Sequence, residues 1–330
     1  MLRIFTRESD RLVLSMYDEN DPATHTSDAV WYDLLNPTPA EDRFTESCLG
    51  VSIPTREEMA DIEPSARLYY EAGSEFMTIT AFAHLESGDP AKTPVTFILR
   101  DGKLVTVRYA EPRPFALFES RARRVNGRVY ATGEVVMIGI LEAFIDRLAQ
   151  ILEATGDEID TISREVFRNK IKNATAKARD LQSLIEQIGR KGDMLTLVRE
   201  SLLSIVRLTS FHQTTETGNT KAAREIRQEF KTLQRDATAL SDHASFLSNK
   251  INFLLDATLG LINLEQNQII KIFSVAAVVF LPPTLVASVY GMNFDIMPEV
   301  HWHFGYPWAL GLMALSAVLP YFFFKRKGWL

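Results

Sequence analysis

Ile269–Tyr290, IIKIFSVAAVVFLPPTLVASVY, is the stretch on which the reading of the whole chain turns. In a helix it reaches roughly 33 Å at about 1.5 Å per residue, enough to cross the hydrocarbon core of a bilayer. A second apolar run, Tyr306–Phe324 (YPWALGLMALSAVLPYFFF), has similar length and stops abruptly at Lys325, Arg326 and Lys327. Two adjacent runs with aromatic edges and a basic stop read as a transmembrane hairpin, not as buried helices of a soluble domain. The connecting residues 291–305 contain no Lys or Arg, while Lys271 and the terminal Lys-Arg-Lys flank the opposite side. By the positive-inside rule both chain ends then lie in the cytoplasm and the short loop faces outward. Pro282 and Pro283 sit in mid-span, where each removes a backbone donor; this fits a kink packed on a neighbouring helix or a bend lining a wet path. Two helices cannot enclose a channel, so an ion path here requires several copies around an axis.

Working outward, no proline occurs between Pro114 and Pro282, and the interval is rich in Glu, Lys, Arg, Gln, Leu and Ala. Long helices are expected there. One apolar seam runs Ile138, Leu141, Ile145, Leu148, Leu152, Ile159, Ile162, Val166. Another runs Ile226, Phe230, Leu233, Ala237, Leu240, Ala244, Leu247, Ile251, Leu254, Thr258, Leu261 and points into the first membrane run. The strongest breaker in its path is Gly260, so one helix from about Lys221 to Tyr290 is expected, a stalk that would carry a cytoplasmic signal mechanically or serve only as coiled-coil packing. The first part of the chain reads differently. Glu75–Ala83, Pro94–Leu99 and Lys103–Tyr109 are β-rich, the last two joined by an Asp101-Gly102 turn. Thr38-x-x-Glu41 and Thr55-x-x-Glu58 are capping boxes that open helices.

The expected fold class is α+β: a cytoplasmic α/β domain over 1–130, a long-helix stalk over 131–268, and a membrane hairpin over 269–330. Within the hairpin the spans are 269–290 and 306–324, the outer loop 291–305 and the basic tail 325–330. A net charge of −6, with no basic stripe interleaved with aromatics, argues against nucleic acid as a partner. The single cysteine, Cys48, cannot form an internal disulfide, suits a reducing compartment and is expected as a small buried apolar residue. Residues 1–10 carry Arg3, Arg7, Glu8 and Asp10 and lack the apolar run of an export signal, so this end is expected to stay in the cytoplasm.

Tyr290 is followed by Gly291-Met292-Asn293, and with it the chain resembles the CorA family of magnesium transporters, whose signature is Gly-Met-Asn after a transmembrane helix. The likeness extends to Asn263-Leu264-Glu265-Gln266-Asn267, Leu281-Pro282-Pro283-Thr284, Met297-Pro298-Glu299, Gly305-Tyr306-Pro307 and the closing Lys325-Arg326-Lys327-Gly328-Trp329-Leu330. Upstream, Ile53-Pro54-Thr55-Arg56-Glu57-Glu58-Met59 and Arg67-Leu68-Tyr69 are similar to the family's cytoplasmic domain. The resemblance implies a homopentameric funnel in a bacterial inner membrane, Mg²⁺ as the transported ion, and closure when cytoplasmic Mg²⁺ binds acidic residues between subunits. It also implies pore-lining roles for Asn267, Ile270, Phe273, Leu281, Thr284 and Ser288. Phe273 and Leu281 equally suit lipid-facing or packing roles.

The chemistry of the signature can be stated on its own terms. Mg²⁺ dehydrates reluctantly, so a channel passes it most easily by recognising its water shell. A ring of Asn293 amide oxygens, one per subunit, would accept hydrogen bonds from those waters, with Gly291 allowing close backbone approach and Met292 packing the ring. Asp295 and Glu299 in the outer loop would concentrate cations before entrance, or are simply polar loop residues. His301 and His303 form a His-x-His pair with too few partners for a closed metal site. Among the cytoplasmic carboxylates, Asp157, Glu158 and Asp160 lie close in sequence but read first as a solvated helix face, and no regulatory metal residues are assigned.

No phosphate-binding loop, Gly-x-Ser-x-Gly elbow or His-Glu-x-x-His motif is present, so neither nucleotide hydrolysis nor another enzymatic activity is expected, nor an organic cofactor. The membrane potential suffices to drive a divalent cation inward. Two alternatives stand beside magnesium uptake: a Zn²⁺, Co²⁺ or Ni²⁺ transporter on the same scaffold, and a non-conducting membrane-tethered scaffold or signalling protein.

Overall fold

The computed structural model describes residues 1–8, 11–18, 28–61, 63–83, 91–124, 128–168, 174–215, 220–292, 297–298 and 302–328 of the chain. Seven strands form one sheet: β1 (Leu2–Glu8), β2 (Arg11–Met16), β3 (Ala29–Leu35), β4 (Leu68–Glu71), β5 (Ser74–Ala83), β6 (Ala91–Arg100) and β7 (Lys103–Arg108). Their spatial order is β2-β1-β3-β7-β6-β5-β4. Every pairing is antiparallel except β3 with β7, which join the antiparallel trio β2-β1-β3 to the antiparallel meander β4 to β7 in parallel register, Trp31 opposite Leu104 and Asp33 opposite Thr106.

The expected strands β5 to β7 are present, and the Asp101-Gly102 turn has positive φ at both residues, 48° and 73°, the conformation that matches the twist of a two-residue hairpin. β1, β2 and β3, with no counterpart in the sequence reading, add the other half of the sheet.

Side chains of alternate parity take opposite faces. On one face Leu2, Ile4, Tyr32, Leu34, Val105 and Val107 are buried with Met59 of α2 (Arg56–Ala60) and with Val51 and Ile53, which precede it, and Phe44 and Leu49 of α1 (Pro39–Leu49) pack against them half-buried. Both helices open as the sequence indicated. Thr38 Oγ1 accepts from the Glu41 N–H at 3.4 Å and Glu41 accepts from the Thr38 N–H at 2.8 Å. The Thr55 and Glu58 pair repeats this at 3.3 and 2.8 Å. A short turn of helix, α3 (Pro64–Arg67), leads into β4.

On the opposite face Trp31 stacks on Phe5 at 4.1 Å between ring centres and meets Phe118 of α4 (Arg113–Ala122) edge-on at 5.6 Å. Phe115 of α4 in turn meets Phe144 of α5 (Gly133–Arg168) at 5.8 Å. Two glycines permit this docking. A Cβ on Gly133 would lie 2.5 Å from the Leu104 backbone nitrogen, and one on Gly139 would lie 2.5 Å from the Phe118 ring. The same face carries Asp33, wholly buried and bound by Arg3, Thr106 and Arg108.

α5, α6 (Ala174–Thr215) and α7 (Lys221–Tyr290) are the expected long helices, and α7 is continuous over 70 residues. The seam of α5 is buried throughout; along α7 Phe230, Leu233, Ala237, Ala244, Leu247, Ile251, Leu254 and Thr258 are buried, while Ile226, Leu240 and Leu261 of the expected seam are only half-buried. Gly156 and Gly192 lie against Leu247 and Ile251, so small residues of α5 and α6 receive large ones of α7. α8 (Gly305–Arg326) closes the chain with 22 residues.

The chain divides into two compact units, Met1–Glu165 with Glu186–Phe253, and Val166–Ile185 with Leu254–Leu330. The first contains the sheet and most of the long helices. The second contains the tips of α5 and α6, the last part of α7, and α8.

Candidate functional site

The last part of α7 and α8 are long and apolar enough to cross a membrane, with only 6% of either apolar stretch buried inside the chain. For a soluble helix that exposure would be costly, since apolar surface in water is unfavourable by about 25 cal/mol per Å². In lipid it has no such cost.

The exposure is not uniform around α7. Val275, Val279, Val286 and Tyr290, with Pro282 and Pro283, form the shielded stripe. At about 100° per residue the candidate pore residues Asn267, Ile270, Phe273, Leu281, Thr284 and Ser288 fall within an arc of about 120° on the opposite side. All six are exposed, Phe273 and Leu281 at 71% each. α8 likewise has one shielded stripe, Gly305, Ala309, Met313, Ser316 and Pro320, spaced by three to four residues.

Pro282 and Pro283 lie inside the helix and carry no N–H, so the carbonyls of Val278 and Val279 receive no bond from the usual residue one turn on. At the very next position, the Thr284 hydroxyl donates to the Phe280 carbonyl at 2.8 Å. With its proton so engaged, the Thr284 oxygen keeps only lone pairs for anything beside the helix. An acceptor suits the outward-pointing hydrogens of a cation's water shell.

Gly291 and Met292 continue directly from α7. The Gly291 N–H donates to the Ala287 carbonyl at 3.0 Å and the Met292 N–H to Val289 at 3.3 Å. A Cβ at Gly291 would come within 3.1 Å of the Ala287 oxygen, so this position favours a residue without one. Met292 is half exposed. Asn293, Asp295, Glu299 and His301 lie outside the described residues.

Two carboxylates of the α5 cluster are engaged within the chain. Asp160 of α5 accepts from Lys250 of α7, and Glu158 pairs with Lys191 of α6. The hydrogen bond from Lys250, followed by its charge, holds the Asp160 carboxyl below the usual range. Among the described residues no three His, Cys, Asp or Glu side chains converge as a metal site.

The sequence reading passed over the buried polar centre of the sheet. Burial alone would push the Asp33 carboxyl up, but the Arg108 guanidinium, then Arg3 and the Thr106 hydroxyl, outweigh it and hold the group below its ordinary value. The signal available was an Asp inside the apolar Ala29–Leu35 run and an Arg closing Lys103–Arg108.

Comparison with known proteins agrees with this architecture. The family model described as CorA-like Mg²⁺ transporter protein matches residues 26–326. The magnesium transport protein CorA of Pasteurella multocida is 38% identical over 330 residues, and that of Escherichia coli K12 is 38% identical over 338, each alignment covering all of both chains. The complete structure of the CorA magnesium transporter from Methanocaldococcus jannaschii superposes with a TM-score of 0.77, covering 100% of this chain and 99% of that one at 19% identity, a likeness of fold. A family match over nine-tenths of the chain and full-length identity well above 30% lead to one conclusion: the chain belongs to the CorA-like Mg²⁺ transporter family.

Proposed function

We propose that this chain forms a homopentameric, passive uptake channel for hydrated Mg²⁺, also admitting Co²⁺ and Ni²⁺, driven by the membrane potential and closed by cytoplasmic Mg²⁺. Its family is one of ion transporters, and the relatives named magnesium transport protein match it from end to end. The observation that carries the reading is the placement of Gly291-Met292-Asn293 immediately after a continuous helix whose candidate pore residues share one exposed side.

Five copies placing that side toward a common axis would line a path with Asn267, Ile270, Phe273, Leu281, Thr284 and Ser288. Asn293 would form the outer ring, recognising the ion through its waters, and Asn267 a second polar ring at the cytoplasmic end. Between them Ile270, Phe273 and Leu281 would close the path by excluding water. Gly291 gives the ring its close backbone approach and Met292 packs behind it, since a thioether is a poor ligand for a hard cation. Asp295 and Glu299 would raise the cation concentration at the mouth.

In this reading the protein sits in the bacterial inner membrane with both termini cytoplasmic, and Mg²⁺ is both cargo and regulatory ligand. Moving two charges inward is favoured by roughly 4.6 kcal/mol per 100 mV, so no coupled ion or nucleotide is required. The test is flux through purified protein in liposomes, with Mg²⁺ set separately on each side. Uptake that follows an imposed negative-inside potential and falls as internal Mg²⁺ rises supports the proposal; vesicles impermeable under every gradient overturn it.

A further inference from the structure

Beyond the end of β4 the sheet opens into a cavity of about 520 Å³ between β5, β6 and α6, entirely within the first compact unit. The Thr80 N–H is bonded not to a neighbouring strand but to the Ser204 hydroxyl of α6, at 3.0 Å. Arg67, the last residue of α3, reaches across the gap and donates to Thr80 Oγ1 at 3.0 Å and to the Asp61 carbonyl at 2.6 Å. These bonds fix the guanidinium at the cavity wall with its second terminal nitrogen uncommitted. Lys92 and Arg207 face the same space.

The charge balance is unusual for this molecule. Among the described residues around the cavity, three cations meet one anion, Glu200, which pairs with Lys92 at 2.5 Å. Arg207 has no ion-pair or hydrogen-bond partner among the described residues. The chain as a whole carries −6, so an excess of two positive charges around one cavity is not a reflection of composition. Leu203 and Pro94 add an apolar wall.

Two guanidinium groups present planar forks that match phosphate oxygens, and their separation around a cavity of this size suits more than one anionic centre. A volume of several hundred Å³ is that of a small-molecule site, not of a bound water or single ion. We propose that this cavity binds a diphosphate or longer polyphosphate group, free or carried by a nucleoside, with Arg67, Arg207 and Lys92 on the phosphates and the Leu203 and Pro94 wall open to an attached base. The site stands apart from ion conduction and does not depend on it.

The test is calorimetric titration of the full-length protein in detergent, free of Mg²⁺, with inorganic pyrophosphate, ADP and citrate as separate probes. Expected is saturable binding of pyrophosphate or ADP, weakened at least tenfold by Arg207→Glu and by Lys92→Ala, both exposed positions whose change leaves the core intact. Tighter binding of ADP assigns the apolar wall to the base, and equal binding assigns the affinity to the phosphates alone. Arg235→Glu, an exposed arginine elsewhere on α7, controls for general electrostatics. Absence of saturable binding, equal weakening by Arg235→Glu, or citrate binding as tightly as pyrophosphate overturns the proposal.

Discussion

Arg108 grips Asp33 with two hydrogen bonds, Nε to Oδ1 at 3.0 Å and Nη2 to Oδ2 at 2.9 Å, and neither side chain is exposed to solvent. The two residues lie 75 apart in sequence and stand on the parallel strand pair β3 and β7. Arg3 holds the same carboxylate from the other side, and Thr106 donates its hydroxyl at 2.7 Å. A buried pair of this kind adds little over an apolar substitute, but breaking it strands the partner.

Asp33→Ala therefore leaves two buried guanidinium groups without their carboxylate, at an expected cost of about 3–5 kcal/mol. Thermal unfolding of the full chain in detergent checks this. The pH dependence has a definite sign. Because the native carboxyl is held low, its stabilisation is complete above the unfolded value near 3.9 and fades as pH falls through the lower native value. Acidification from pH 7 to 5 should leave the Asp33 contribution unchanged.

Gly133→Ala should destabilise by more than the few tenths to 1 kcal/mol that a gain in helix propensity would return. The new methyl would meet backbone at Leu104 and Lys103, which cannot rotate aside, and would loosen the bond from the Gly133 N–H to the Gly102 carbonyl at 2.6 Å. A lower unfolding temperature with unchanged helical content is the expected result.

Asn293→Ala should abolish Mg²⁺ flux while leaving assembly and unfolding temperature as they are. Gly291→Val, which forces side-chain atoms toward the Ala287 carbonyl, should reduce flux at least tenfold. Liposome uptake beside gel filtration of each variant separates a damaged pathway from a damaged protein. Full Mg²⁺ flux through Asn293→Ala would remove the outer ring from the mechanism.

Cys48 offers a direct test of orientation, being the chain's single cysteine and, contrary to the expectation of a buried apolar residue, exposed. If both termini are cytoplasmic, as proposed, a membrane-impermeant maleimide should label it only after cells are permeabilised. Labelling of intact cells would reverse the assignment.

How much of this was legible in the residues depends on the range of the forces involved. α7 could be read from Lys221 to Tyr290 because its seam, its lack of prolines before Pro282 and its apolar end are all local features. The Thr38 and Thr55 caps were legible for the same reason. β1 and β3 were not, since their strand character comes from pairing with each other and with β7, across gaps that no local pattern spans. Asp33 was missed because a lone carboxylate in an apolar run gives no hint of Arg3 and Arg108 until the sheet brings them together. The candidate pore residues share a side of α7 by spacing alone, while the roles proposed for them come from family resemblance and await the flux measurements.

The parallel joint between β3 and β7 also bears on how the protein is made. The N-terminal trio of strands has no neighbour on that edge until Lys103–Arg108 emerges from the ribosome. The first membrane run begins at Ile269, about 160 residues later. At the usual 5–20 residues per second, translation leaves on the order of ten seconds or more between the two events. The sheet can thus close in water before any of the lipid-seeking sequence is synthesised, so its apolar strands need not compete with the hairpin for the insertion machinery.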